Sequence, residues 1–242
     1  MTVGQRALFR VPIPVPAVVA AALILQIGMR AAEQRPTAMA TDLPAPPSQM
    51  ILATAAFGEP IGLAQGLTLY IQAFDTQPGI SIPFKDLNYD RIESWLTSIL
   101  ALHPTGQYPM LLASQVYSQV PDQNRQRQML EFAYRQFEHD PVRHWRWLAH
   151  AALVAKHSLH DLPLALRYAR ALAQRADHGS VPGWARQMHI FLLEDMGEYE
   201  SAKILLGGLL ANGTVTDPHE ILFLMERLKA LEDVEKSTVA PK

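Results

Sequence analysis

Two kinds of marker recur at one spacing, and they restrict the fold more than any other feature. Pro104 (in ALHP) and Pro141 (in EHDP) each close a helical run and lie 37 residues apart. Ala165 (in DLPLALRYA) and Ala202 (in GEYESAKIL) each sit early in a second helix, and they too are 37 apart. Two independent markers on one period predict a stacked array of helical hairpins. A single hairpin cannot bury its apolar face alone, so neighbours must share a continuous core.

Around these markers the chain carries helix signals almost exclusively. Apolar residues at i, i+3, i+4 and i+7 predict helices over Tyr89–Leu102, Tyr108–Val120, Asp122–Glu138, Arg143–Ser158, Leu162–Arg175, Pro182–Met196, Tyr199–Asn212 and Pro218–Glu235. In Asp122–Glu138 the apolar set is Met129, Phe132, Ala133 and Phe137. Asp161 and Asp217 read as N-caps, the second followed by Pro218 and by Glu220 three residues on. Met50–Phe57 and Gly62–Phe74 are apolar but short and interrupted by Glu59 and Pro60. They read as core helices rather than a second membrane span. Residues 75–83 read as a loop turned at Pro78–Gly79. No alternating strand pattern exceeds four residues, so the fold class is all-α.

GEYESA (Gly197–Ala202) resembles the G-x-Y-x-x-A turn and second-helix start of tetratricopeptide repeats, and Pro104 and Pro141 resemble that family's closing proline. The Leu162–Arg175 hairpin matches mainly through Ala165. The family's period is about 34, so these units are slightly long and degenerate. The resemblance covers Gly62 to Asn212 and is strongest at its end. It implies a right-handed solenoid of tetratricopeptide-like hairpins over residues 50–236, with Pro104, Pro141, Ala165, Gly197, Tyr199 and Ala202 as its structural markers. Pro218–Glu235 is then the terminal cap, and residues 237–242 are a frayed tail. An inner face of such arrays usually carries the binding surface. Projected from Ala165, that face holds Trp147, His150 and His157. Projected from Ala202, it holds Trp184, Gln187, Phe191 and Glu194.

The N-terminus carries the second strong signal. Arg6 and Arg10 precede 19 uncharged residues, 11–29, which just reaches the roughly 20 needed to cross a bilayer. Pro12, Pro14 and Pro16 place the start of the regular helix near Pro16. The flanking arginines predict a signal anchor over residues 1–34, cytoplasmic at its N-terminus, with the C-terminal domain periplasmic. A cleaved signal peptide and a buried soluble helix are the alternatives. The Ala38-Met39-Ala40 cleavage pattern lies far beyond the apolar core. Residues 35–49 read as a Pro-rich linker.

Several function classes are excluded or weakened. Net charge is -2, so no bulk electrostatic case for nucleic acid exists. No cysteine is present, which removes disulfides, thiol nucleophiles and Cys-based metal sites. Five histidines fall between His139 and His160, but His150 and His157 are seven apart, too long for the usual i,i+4 metal pair. Trp145 and Trp147 point to different helix faces, one predicted core and one facing a groove. No G-x-S-x-G, H-E-x-x-H, P-loop or dinucleotide fingerprint occurs. Glu194, Asp195, Glu198 and Glu200 read as a solvated helix-end cluster. Charge is uneven: nine Lys/Arg against four Asp/Glu over Arg125–Arg175, and three against ten over Glu194–Glu235. The expectation is a non-catalytic, membrane-anchored scaffold or assembly factor that binds other proteins, without cofactor or metal. The alternatives are a structural subunit of a multi-component membrane complex and a small-molecule or metal-binding protein using Trp147, His150 and His157.

Overall fold

The computed structural model describes residues 14–32, 40–175 and 181–239, and the side chains among them except Ala32 and residues 234–239. It is 76% helix and 2% strand, so the chain is all-α. Eleven α-helices are described: α1 Pro14–Ala32, α2 Gln49–Ala55, α3 Pro60–Gln72, α4 Tyr89–Leu102, α5 Tyr108–Leu111, α6 Gln123–His139, α7 Pro141–His157, α8 Leu162–Arg175, α9 Gly183–Asp195, α10 Tyr199–Ala211 and α11 Pro218–Val239. Two two-residue strands, Thr76–Gln77 and Ile80–Ser81, pair across the predicted Pro78–Gly79 turn. The chain divides into two units, the first holding α1 and the second α2–α11.

α1 is already helical at Pro14, the first described residue and two residues ahead of the predicted start. Prolines are tolerated there because first-turn amides have no helical acceptor. Pro14–Ala31 has a mean hydropathy of 1.6 and is long and apolar enough to cross a membrane. The flanking Arg6, Arg10 and Pro12, residues 35–39 of the linker and residues 240–242 of the tail lie outside the described residues.

In the second unit, packing begins ahead of Met50. Leu43 is buried, and Trp95 Nε1 donates to the Pro44 carbonyl at 2.8 Å. α3 is only half a core helix: Ala64, Thr68 and Ile71 face α4, and most of the rest is exposed. α5 runs into a π-helical turn, Leu112–Tyr117, where a regular helix was expected to Val120. There Ser118 Oγ bonds the Ser114 carbonyl, and Tyr89 Oη donates to the Tyr117 carbonyl at 3.0 Å. Side-chain hydroxyls thus take over carbonyls that a continuing helix would satisfy.

Pro141 plays a different part from Pro104. Pro104 follows the end of α4, whereas Pro141 is the first residue of α7, and Asp140 both ends α6 and caps α7 through the Arg143 N–H at 3.1 Å. The ends of α4, α6 and α10 fall at Leu102, His139 and Ala211, 37 and then 72 residues apart, the second interval being two periods of 36. Consecutive helices pack directly, α6 on α7, α7 on α8 and α8 on α9. Ala149, Ala151, Ala152 and Ala155 of α7 and Ala165 and Ala169 of α8 are all buried, and their small side chains permit close approach. Gly197 has φ +78 at the end of α9, where its N–H bonds Glu194 and that of Glu198 bonds Leu193. This reversal requires a left-handed residue, which glycine adopts without strain.

Side-chain bridges skip a helix. Glu93 of α4 pairs with Arg135 of α6 at 2.5 Å. Glu131 and Glu138 of α6 pair with Arg167 and Arg175 of α8. Lys156 of α7 pairs with Asp195 of α9 at 2.5 Å. α11 is incompletely covered: among its described side chains only Leu224 and Leu231 are buried, while Leu222, Phe223 and Met225 are exposed. As a terminal cap it leaves an apolar face open.

Candidate functional site

α9 presents Trp184, Gln187, Phe191 and Glu194 on one face, because spacings of three and four return to the same side of a helix. The structure joins this face to both neighbours. Toward α7, the Trp184 and Trp145 rings meet edge to face at 5.8 Å, and the Arg146 guanidinium lies 5.7 Å from the Trp145 ring centroid. Toward α11, Gln187 Nε2 donates to Glu220 Oε1 at 2.5 Å, Phe191 and Phe223 approach to 6.1 Å, and Arg227 Nε donates to Glu194 at 2.6 Å.

These residues divide by exposure. Gln187 and Glu194 are buried and committed to α11. Glu220, which the sequence suggests as a capping partner for Asp217, instead crosses to α9; a Cβ at Gly183 would sit 2.7 Å from its Oε1. Asp217 itself caps α11 through the His219 N–H at 2.8 Å. Trp184 is 54% exposed and Phe191 half-buried. The outward part of the site is therefore aromatic: Trp184 with the half-buried Trp145, and Phe191 with exposed Phe223.

The face predicted on α7 goes elsewhere. Trp147 is 7% exposed, and its indole N–H donates to Gln107 Oε1 at 2.8 Å. Of the two tryptophans it is the core residue, and Trp145 is the outer one. His150 is half-buried, with Nε2 lacking a hydrogen-bond partner; burial holds its pKa below the usual histidine value, against an opposing contribution from the Ser114 backbone. Only His157 of this trio is exposed. The residues of α7 that align with the α9 face are Trp145 and Lys156. Among the described residues, no three His, Asp or Glu side chains are grouped to hold a metal ion.

The motifs do not single out Lys156, Phe223 and Arg227, leave Trp145 between core and groove, and give Glu220 only a capping role. Their signal is spacing: Trp145 to Trp184 and Lys156 to Asp195 are each 39 residues, and Gln187 to Glu220 and Glu194 to Arg227 are each 33. These distances bracket the 37-residue period. No family model, curated protein or solved structure matches the chain.

Proposed function

We propose that the chain is a non-catalytic, membrane-anchored scaffold: α1 crosses the membrane, and helices α4–α11 form a right-handed stack of tetratricopeptide-like hairpins that holds a partner protein. Three observations support the stack. α6 ends 37 residues after α4 and α10 ends 72, or two such periods, after α6, ion pairs join alternate helices, and consecutive helices pack in order. The Arg6 and Arg10 flank favours a cytoplasmic N-terminus, with the helical domain on the periplasmic side.

The observation that carries the binding role is Trp184, more than half exposed beside Trp145 and Arg146. Exposed tryptophan and arginine are the residue types that dominate protein-binding energy. The test is co-purification of crosslinked partners from native membranes with the full chain and with Trp184→Ala. The scaffold reading expects a discrete partner set that this variant loses, with thermal stability unchanged. Retention of the same partners by Trp184→Ala would remove this patch from recognition.

A second reading, a structural subunit of a membrane complex, is favoured by Leu222, Phe223 and Met225 on α11, which the fold leaves uncovered. Loss of partners only when the α1 segment is replaced by an unrelated anchor would favour it.

A further inference from the structure

The corner between α2 and α3 has a surface that the rest of the second unit does not. Between residues 47 and 62 only Leu52 and Ala56 are buried. Met50 is 80% exposed and Phe57 93%, and Ile51 and Ile61 also face outward. Glu59 is the only charged residue between Asp42 and Asp75, and no Lys or Arg occurs between Arg35 and Lys85. A helical corner facing water normally carries charge along its outer side.

The corner pairs part of its polar groups internally, although Glu59 makes no side-chain cap bond to α3. The amides of Ala56, Phe57 and Glu59 bond the carbonyls of Leu52, Thr54 and Ala56 at 3.0, 3.2 and 2.7 Å. Thr54, though exposed, donates its hydroxyl to the Met50 carbonyl at 2.9 Å. A segment leaving water must have its polar groups paired in this way. The turn itself is made by Phe57 at φ +46, a left-handed conformation uncommon for a bulky residue. The helices bend by 113° there, which leaves the phenyl ring projecting at the bend.

We propose that the α2–α3 corner inserts its apolar side into the membrane surface, with Phe57 at the deepest point, as a membrane contact additional to α1. The proposal rests on the anchor reading of α1. Ten residues, 33–42, separate α1 from Leu43, the first docked residue. Even fully extended they span at most about 35 Å, so an anchored chain keeps Leu43 within that reach of the end of α1. A corner without Lys or Arg inserts by apolar burial, about 5–10 Å into the headgroup and acyl boundary, rather than by attraction to anionic lipid.

The chain has no cysteine, so single variants take an environment-sensitive nitrobenzoxadiazole label cleanly. Ile51→Cys and Phe57→Cys report the corner, Leu23→Cys reports α1, and Leu222→Cys reports an exposed apolar residue of α11. The full chain is reconstituted into phosphatidylcholine vesicles, with and without lipid carrying a doxyl quencher on its acyl chain. The expected result is blue-shifted emission at positions 51 and 57 that the doxyl lipid quenches, as at position 23, while position 222 is quenched by aqueous iodide. Iodide quenching at 51 and 57 with doxyl quenching at 23 would overturn the proposal and leave the anchor standing. Iodide quenching at 23 as well would overturn both. Doxyl quenching that appears only after phosphatidylglycerol is added would overturn apolar insertion. In native membranes supplemented with the doxyl lipid, protection of position 57 from both quenchers would assign the corner to a protein instead.

Discussion

On α6 and α8 the exposed rows end in ion pairs: Arg127 with Asp161, Arg135 with Glu93, Arg167 with Glu131 and Arg175 with Glu138. Tyr168, fully buried, reaches the same Glu131 with its hydroxyl at 2.8 Å. On α2 and α3 the outward residues are Met50, Ile51, Phe57, Ile61 and Leu69, with Glu59 as the one charge. Both regions use one helix face for packing; they differ in what the other face meets. The middle helices bridge their neighbours through charged pairs, whereas the corner exposes one charge and mostly apolar side chains. Helical periodicity therefore identifies the inner face of an element, and the charge content of the remainder indicates the medium outside it.

The largest effect is expected from cutting into the core cluster that holds residues of both α3 and α6. Trp147→Ala is expected to cost about 3–5 kcal/mol, since it empties a large buried site and leaves Gln107 without its donor. Denaturant unfolding of the full chain in detergent measures it. A loss below about 1 kcal/mol would mean the ring contributes little packing.

Arg227→Ala is next. It leaves the Glu194 carboxylate, 6% exposed, without its guanidinium, and about 1–3 kcal/mol is expected. Glu194→Gln with Arg227→Ala should recover part of this loss, which a double-mutant cycle resolves.

Asp161 tests the ion-paired region by pH. Burial alone would raise its carboxyl, but the Leu164 N–H and the Arg127 guanidinium outweigh burial and hold it below the usual value. Its folded pKa is the lower one, so its stabilisation is present above the ordinary carboxylate range and fades as pH falls through the folded value. Asp161→Ala loses the cap and about 1 kcal/mol. Asp161→Asn keeps the cap, costs under about 1 kcal/mol at neutral pH, and should flatten the acid limb of a stability–pH curve.

The smallest effect is expected at the corner. Phe57→Ser removes a ring that packs against almost nothing, so detergent-solubilised stability should stay within about 0.5 kcal/mol. A large loss would mean that Phe57 is part of the fold and the contrast with α6 and α8 is false.

Much of the helix content was legible. Tyr89–Leu102 matches its predicted bounds, α8 starts at Leu162 as predicted, and Asp161, Asp217 and Gly197 do the local work that their residue types suggest. Less of the site was legible. On α9 the chosen residues do share one face, but on α7 the projection from Ala165 selected Trp147 and His150, which turn inward. The local sequence HWRWLAH places two tryptophans on different faces without saying which face meets a neighbour. That depends on the helices packed on either side. α11 shows the same limit: an apolar stripe suggests burial, yet Leu222, Phe223 and Met225 stay more than half exposed.

The sequence by itself determined the all-α class, the position of most helices, the Asp161 and Asp217 caps, the Gly197 turn, and an N-terminal helix long and apolar enough to cross a membrane. These follow from short-range rules: periodicity, missing amide donors, left-handed glycine and the length of an apolar run. Only the tertiary structure decided that Trp147 is core while Trp184 is surface, that Glu220 bonds Gln187, and that α2–α3 is dressed on one side only. Those outcomes depend on partners 30 to 50 residues away, as Trp95 and Pro44 do at a separation of 51. Side chains that far apart meet only after the helices have packed, and no local pattern encodes which of them will.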